Sequence, residues 1–397
     1  ALVDLRRDAG DVRGAIAAAG RLRGCNPYSD RLADELYDSG QRTEAQAEYE
    51  RLLRLEPEHE EWTAALARLL QSRRGAGDRE RALSLRSELL ARNPRNISSR
   101  IELANLQVEL GKRTDAKATL RAGQQYQPES TELSRALLAL GEAGPMDAFR
   151  VDGKQVIAEF MKSSAAETFG GEPAVMLLDR TVVRVLPTAA RLTLTHNIIR
   201  VLTKDGLGKF GEVRIPEGAD VLVLRTIKAD GSTREPESIP EKDTVSAPDL
   251  EVGDFVEFEY IDHDAPLGAF PRAFLAERFY FASTDAPLDR SEYVLATPAD
   301  LPLQIDVRGP SRGPDGTRDV PVAQVSNVGD QRVMTWQRRH VPRLQPEPPL
   351  SEAIIDDWMP SVRVGGGLSF AGYVNYLRER RIRSLYIGRD VRAQAMA

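Results

Sequence analysis

The sequence is poor in cysteine, in aromatic residues and in long apolar runs. Its 397 residues include one cysteine, Cys25, which excludes an internal disulfide and any zinc site built on cysteine ligands. No apolar run approaches the roughly 18 residues needed to cross a bilayer. The 60 acidic and 54 basic residues give a net charge of −6, so the concentrated positive field that binds phosphates is missing. These absences argue against a membrane-spanning chain and against nucleic acid as a partner.

Catalytic and metal-binding patterns are also scarce. A papain-like or transglutaminase-like centre needs a cysteine nucleophile, a histidine base and an orienting Asp or Asn, and this chain cannot assemble one around Cys25. The four histidines lack the spacing of a metal site. The segment Asp262-His263-Asp264 offers carboxylates suited to calcium, although a solvated acidic turn is the commoner outcome. We therefore predict no catalytic residues, no metal and no cofactor.

The first 145 residues contain a repeat. Four times a Gly is followed five residues later by an Ala, and a Pro follows twelve residues after that Ala. Gly ends one helix in a left-handed turn, Ala lets two helices approach closely, and Pro stops the second helix. The four sets are Gly10, Ala15 and Pro27; Gly40, Ala45 and Pro57; Gly77, Ala82 and Pro94; and Gly111, Ala116 and Pro128.

Between these markers the apolar residues follow helical spacing, as in Leu32 and Leu36. Each repeat is predicted to be a helix hairpin of ~34 residues, which cannot bury its apolar face alone and must stack on its neighbours into a solenoid. The Gly, Ala and Pro positions resemble the consensus of the tetratricopeptide repeat (TPR). The repeats depart from it in a short first repeat, in a small insertion around 73–77, and in an aromatic residue beside the Ala that occurs only as Tyr49.

The resemblance implies that the repeats bind a protein or peptide partner in the groove lined by the first helix of each pair. By register with the family, the residues expected in that groove are Asp30, Asp34, Tyr37, Ile101, Asn105, Val108 and Arg135. Asn105 falls where the carboxylate-clamp members of the family place an Asn, but the accompanying Lys and Arg positions are not matched. An alternative is that the array only spaces or dimerises other parts of the molecule.

From about residue 170 the spacing of the apolar residues changes from the helical pattern to a period of two residues. The runs 181–186, 191–201, 221–228, 255–261, 278–281, 293–296, 304–308 and 332–339 are strand-like and are separated by Gly, Pro, Asp and Asn. Short strands in series predict an antiparallel β-sandwich. Within it we expect Phe258 and Tyr260 to face the core and Glu257 and Glu259 to face water. His196 lies in mid-strand, which favours a hydrogen-bonded structural imidazole.

The order of the turn motifs in this half is informative. Asp205-Gly206 follows the strand that contains His196, Asp230-Gly231 follows the next one, and Val252-Gly253-Asp254 precedes an outgoing strand. Over about residues 170–345 this resembles a bacterial family called domain of unknown function 3857, which commonly precedes a transglutaminase-like core. The resemblance implies a location in the bacterial cell envelope or periplasm, with the cytoplasm not excluded.

The predicted architecture is a multidomain chain with an all-α TPR-like solenoid, an antiparallel β-sandwich and a short C-terminal helix. We expect TPR-like repeats over 1–145, a capping helix and linker over 146–169, the sandwich over 170–341, a Pro/Gly-rich linker over 342–367 and a helical segment over 368–397. The chain reads as a mature or trimmed fragment, because it begins with Ala1 and no export signal follows.

Three functions fit these features. The leading one is a non-catalytic scaffold whose repeats recruit a protein or peptide that the sandwich presents or supports. The second is the substrate-positioning region of a peptide-processing enzyme whose transglutaminase-like core lies beyond Ala397. The third is a sandwich that binds cell-wall glycans.

Overall fold

A computed structural model describes residues 1–73, 75–163, 168–169, 171–236, 244–268, 270, 272–312, 317–345 and 359–384. Contacts within the chain divide it into two compact units, an N-terminal unit over Ala1–Gly144 and a C-terminal unit over Pro145–Ala397. Each unit is described by itself below.

The N-terminal unit is helical. In order, its helices are α1 (Leu2–Asp8), α2 (Val12–Cys25), α3 (Arg31–Asp38), α4 (Arg42–Leu55), α5 (Glu60–Arg73), α6 (Asp78–Arg92), α7 (Ile97–Glu109), α8 (Arg113–Gln124) and α9 (Thr131–Ala139). Successive helices pack on each other, as expected of stacked hairpins. The predicted helical repeat array is thus confirmed.

The glycine and alanine markers act as predicted. Gly10, Gly40, Gly77 and Gly111 follow α1, α3, α5 and α7 with φ between 74° and 82°, a backbone region that residues with a Cβ adopt at a cost. The four marker alanines are completely buried, so they allow close contact between paired helices. Those alanines are Ala15, Ala45, Ala82 and Ala116.

Neighbouring repeats are connected by ion pairs as well as by apolar contacts. Arg7 in α1 reaches the buried Glu35 in α3 at 3.1 Å, and Arg23 in α2 reaches the buried Glu48 in α4 at 3.2 Å. First helices therefore contact first helices and second helices contact second helices. This arrangement is the one that leaves a face of the first helices available along the array.

The C-terminal unit is built around one large sheet. Its strands, in spatial order, are β14 (Gln324–Val328), β15 (Gln331–Val341), β10 (Leu288–Pro298), β1 (Ala174–Val185), β2 (Arg191–Val201), β7 (Phe255–Asp264), β4 (Asp220–Ile227) and β5 (Thr233–Arg234). The expected antiparallel pairing holds for its strand pairs except β1 and β10, which run parallel. Over 100 residues separate these two strands, far more than the crossover that parallel pairing requires.

Smaller sheets accompany the large one. A second sheet is formed by β11 (Leu303–Arg308), β16 (Ser361–Gly366) and β8 (Phe274–Leu275), with β9 (Phe279–Tyr280) also paired to β16. Two further pairs of short antiparallel strands are β3 (Glu212–Arg214) with β6 (Thr244–Ser246), and β12 (Ser311–Arg312) with β13 (Thr317–Arg318). The second sheet packs on the large sheet through a shared core that includes Val362, Val364, Tyr293 and Trp336. The two packed sheets form the predicted sandwich.

The described residues of the C-terminal unit include the α-helices α10 (Gly153–Lys162), α11 (Lys204–Phe210) and α12 (Phe370–Ser384). Residues around Asp205-Gly206 therefore form a helix and not the expected turn. The expected cap of the repeat array is also corrected, because α10 packs its apolar side chains Val156 and Phe160 on the large sheet, against Leu177 and Ile198. Helix α12 matches the helix predicted near residue 370.

The linker predicted over 342–367 is corrected as well. Residues 361–366 form β16, which lies between β11 and β8. Its glycines permit close packing, since a Cβ on Gly366 would lie 2.5 Å from the Pro302 carbonyl oxygen and one on Gly367 would lie 2.0 Å from that of Arg272. The prolines at 346, 348 and 349 and the segment 385–397 lie outside the described residues.

Candidate functional site

A three-residue pattern recurs in the first helix of four repeats. A buried Leu is followed by a small residue and then by a polar one, in Leu32-Ala33-Asp34, Leu66-Ala67-Arg68, Leu103-Ala104-Asn105 and Leu133-Ser134-Arg135. Because the buried Leu fixes the orientation of each helix, the third residue occupies the same position in each repeat. Asp34, Arg68, Asn105 and Arg135 therefore form one column, which we call the groove column.

Arg68 was absent from the predicted groove residues. The insertion around 73–77 shifts the spacing between α5 and the next marker glycine, so counting back from Gly77 misplaces the register. The Leu-Ala pair before Arg68 is the signal that identifies it. Arg68, Asn105 and Arg135 are all exposed.

The two predicted acidic groove residues are partly occupied by contacts within the array. The Tyr49 hydroxyl donates a hydrogen bond to Asp34 Oδ1 at 2.7 Å, and the Trp62 indole nitrogen donates to Asp30 Oδ2 at 3.3 Å. Burial raises the pKa of Asp34; the hydrogen bond from Tyr49 opposes this rise, and the neighbouring Asp30 and Asp38 add to it. Asp34 is therefore both a surface carboxylate and part of the packing between α3 and α4.

The remaining predicted groove residues are apolar or aromatic and only partly accessible. Tyr37 packs against the core formed by the first repeats, and Ile101 and Val108 pack against the core around α7, α8 and α9. Asn105 and Arg135 are the predicted residues that extend into solvent.

The only thiol of the chain, Cys25, is exposed at the end of α2. Among the described residues, no group of three or more His, Cys, Asp or Glu side chains is arranged to hold a metal ion. Asp262-His263-Asp264 is part of β7 and not a loop, and its side chains have protein partners: His263 Nε2 lies 3.0 Å from Asp220, and Asp264 lies 2.9 Å from Arg191. None of the helices found in the described part of the chain has the length and apolarity to cross a membrane.

The C-terminal unit contains a buried charged cluster on one face of the large sheet. His196 is 1% exposed, and its Nε2 lies 3.0 Å from Glu257 Oε1. Arg225 donates to the other oxygen of Glu257 at 2.7 Å. Glu259 accepts from Arg150 at 2.9 Å, and Arg180 pairs with Glu292 at 2.5 Å. The imidazole is thus a hydrogen-bonded structural group, as its mid-strand position predicts.

This cluster corrects the expected orientation of β7. Glu257 and Glu259 are each 1% exposed, whereas they were expected to face water. Residues 149–153 cover them: Arg150 pairs with Glu259, and a Cβ on Gly153 would lie 1.9 Å from Glu257 Oε1. Burial by itself would raise the pKa of Glu257, but hydrogen bonds from His196 and Arg225 outweigh it and lower that pKa. The ion pair between Arg150 and Glu259 attaches this segment to the sheet.

Comparison with known proteins agrees with this division. Residues 73–141 match the family model of the tetratricopeptide repeat, and residues 241–345 match that of the domain of unknown function DUF3857. No curated protein matches the chain.

Several solved structures resemble parts of the chain. A putative protease from Parabacteroides distasonis is 16% identical over 49% of this chain with a TM-score of 0.39, and the match spans 40% of that protein. MamA is 17% identical over 36% of this chain and 85% of its own, with a TM-score of 0.30. YrrB, described as a TPR protein with an unusual peptide-binding site, is 13% identical over 35% of this chain and 72% of its own, with a TM-score of 0.28. On the two family models, the chain carries a TPR-like repeat region, matched over 73–141, followed by a DUF3857 region, matched over 241–345.

Proposed function

We propose that this chain is a non-catalytic scaffold in which the TPR-like repeats bind an extended segment of a protein partner along the groove column. The observation that carries the proposal is the column itself, which places Asp34, Arg68, Asn105 and Arg135 at equivalent positions of four successive repeats. A regular row of polar side chains on stacked helices suits a peptide that runs along the array.

The chemistry of the column favours a partner of mixed charge. Three carboxylates on α3, those of Asp30, Asp34 and Asp38, follow one another at four-residue intervals and share one face of that helix. Arg68 and Arg135 provide positive charge further along. We therefore expect the bound segment to carry basic residues opposite α3 and acidic residues opposite α5 and α9.

The other side chains that could support catalysis have structural contacts. His59 stacks on Trp62 with ring centroids 3.7 Å apart, His263 pairs with Asp220, and His340 Nδ1 lies 3.0 Å from Asp289. These contacts support a scaffold over an enzyme. The bacterial cell envelope or periplasm is the proposed location, which rests on the family resemblance alone.

The test uses exposed residues, because replacing Asp34 would also remove the acceptor of the Tyr49 hydroxyl. Arg68→Glu combined with Arg135→Glu reverses the charge in the groove column. Arg54→Glu makes the same kind of change on α4, a second helix of its pair, and serves as the matched control. Partners captured from the source cells by crosslinking are identified by mass spectrometry, and circular dichroism verifies that each variant is helical.

We expect the double variant to lose specific partners that wild type and Arg54→Glu both retain. Binding of the purified partner should weaken at least ~5-fold, since two charged contacts contribute about 1 kcal/mol or more between them. Equal capture by all three proteins would refute the assigned groove.

A further inference from the structure

The second face of the large sheet, opposite the buried charged cluster, carries an open groove. Two pockets of about 570 Å³ and 330 Å³ adjoin there and share Thr195, Pro216 and Tyr260. Residues of β3 and the segment after it form one wall, and residues 276–279 near the second sheet form the other. We call this depression the sheet-face groove; its volumes lie in the range of small-molecule sites.

The floor of the sheet-face groove is a row of hydroxyl groups. Tyr293 on β10 pairs in register with Thr181 on β1, Thr181 pairs with Thr195 on β2, and Thr195 pairs with Tyr260 on β7. Residues paired across adjacent strands project from the same face of a sheet. Each of four neighbouring strands thus contributes one hydroxyl-bearing side chain to a row across the sheet. Each hydroxyl can donate and accept hydrogen bonds.

One member of this row has an unsatisfied polar atom. Tyr293 is 1% exposed and lines the groove, yet its hydroxyl has no hydrogen-bond partner among the described residues. The ring itself is held firmly, with the Trp336 centroid at 5.7 Å and the Phe279 centroid at 5.4 Å. A buried hydroxyl without a partner costs stability, so an unpartnered hydroxyl in the floor of a groove points to a ligand that supplies the partner.

Aromatic side chains are concentrated here although they make up only 6% of the sequence. The rings of Phe258 and Tyr260 lie side by side on β7, nearly parallel at 8° and with centroids 6.4 Å apart. Both line the groove, as do Phe210 and Phe279. Two parallel aromatic rings offer apolar, electron-rich faces to a ligand in the groove.

The charged side chains of the groove leave hydrogen-bond acceptors in excess. Four carboxylates and three guanidinium groups line the groove: those of Glu212, Asp262, Asp264 and Glu277, and those of Arg191, Arg214 and Arg278. Arg191 is paired with Asp264 and Arg278 with Asp306. Asp262 and the exposed Glu277 lie close enough to Tyr260 to affect it: burial raises the pKa of Tyr260, a hydrogen bond with Thr195 opposes the rise, and these two carboxylates add to it. Carboxylates outnumber guanidinium groups in this lining by one, which favours a ligand rich in hydroxyl donors over a phosphate.

We infer that the sheet-face groove binds a neutral oligosaccharide, with sugar rings stacked on Phe258 and Tyr260 and sugar hydroxyls bonded to Thr181, Thr195 and Tyr293. A peptide fits less well, because peptides add to sheets by pairing with the backbone of an edge strand. The floor strands β1, β2 and β7 already pair with neighbours on both sides.

The test is isothermal titration of the full chain with four probes: chitotetraose, cellotetraose, maltotetraose and, as the competing class, tetra-alanine. At least one oligosaccharide should bind. Tyr293→Phe, which removes only the unpartnered hydroxyl, should weaken that binding about 5-fold, the loss of one neutral hydrogen bond. The thermal stability of this variant should be unchanged or slightly raised, because no internal hydrogen bond is lost.

Thr226→Val is the matched control. The Thr226 hydroxyl is also buried and without a partner among the described residues, but Thr226 does not line the groove. This variant should bind the oligosaccharide as wild type does. The inference is overturned if none of the three sugars binds at concentrations up to about 10 mM, if only tetra-alanine binds, or if Tyr293→Phe and wild type bind equally.

Discussion

Replacing Asp179 by Asn should remove a pH-dependent destabilisation of the folded C-terminal unit. Asp179 lies on β1, where Ser291 Oγ donates a hydrogen bond to it at 2.9 Å. Burial raises the pKa of this carboxyl from 3.8 to about 6, although the bond from Ser291 opposes the rise. The folded state therefore prefers the uncharged acid.

The magnitude follows from that shift. A rise of about two pKa units at ~1.4 kcal/mol per unit gives ~3 kcal/mol. Because the folded pKa is raised, the contribution of Asp179 to stability is complete below about pH 4 and is lost as the pH rises through about 6. The amide introduced by Asp179→Asn is neutral at every pH, so the variant should gain up to ~3 kcal/mol on the wild type between pH 4 and pH 7.5.

The assay is urea unfolding followed by tryptophan fluorescence at a series of pH values. A Trp62→Phe background removes the indole of the N-terminal unit, so that the signal comes from Trp336 and Trp358. Asp230→Asn is the control: the pKa of the exposed Asp230 is lowered by hydrogen bonds from Ser232, so its pH trend has the opposite sign. Parallel stability curves for wild type and Asp179→Asn across this pH range would refute the reasoning.

Three further changes test the fold. Glu257→Gln leaves His196 and Arg225 without their carboxylate partner and should lower the free energy of unfolding by ~3 kcal/mol, measured by urea denaturation, whereas the exposed Glu212→Gln should have little effect. Gly111→Ala forces a Cβ into a backbone with φ of 74° and should cost ~1 kcal/mol, while Gly20→Ala inside α2, where a Cβ meets nothing within 4 Å, should stabilise the helix. Ala45→Leu should cost ~1–3 kcal/mol by forcing α3 and α4 apart, seen as a lower melting temperature; an unchanged melting temperature would contradict the close packing.

The repeats were predictable because their signals are local. A glycine turn, a small residue at a helix crossing and a proline stop all act within one hairpin, and Gly40 and Ala45 show the predicted φ and burial. Strand β2 was also bounded correctly at Arg191 and Val201, since its alternation is regular and charged or turn residues flank it.

The features that the sequence did not predict depend on contacts between residues far apart in the chain. Alternation along β7 separates two sets of side chains, but which set is buried depends on Arg150, which lies 109 residues from Glu259. The glycines at 365–367 look flexible in sequence because their neighbours across the sheet, such as Pro302, are far away in the chain. The hydroxyl row is likewise formed by residues of four strands, so no spacing within one strand could predict it.

The pairing of Arg150 with Glu259 bears on how the DUF3857 region can be studied in isolation. A recombinant fragment cut at residue 170 or 241 would discard the segment that covers Glu257 and Glu259 on β7, and Glu259 would then need water in place of Arg150. A fragment that begins at Pro145, where the C-terminal unit starts, keeps the pairing of Arg150 with Glu259.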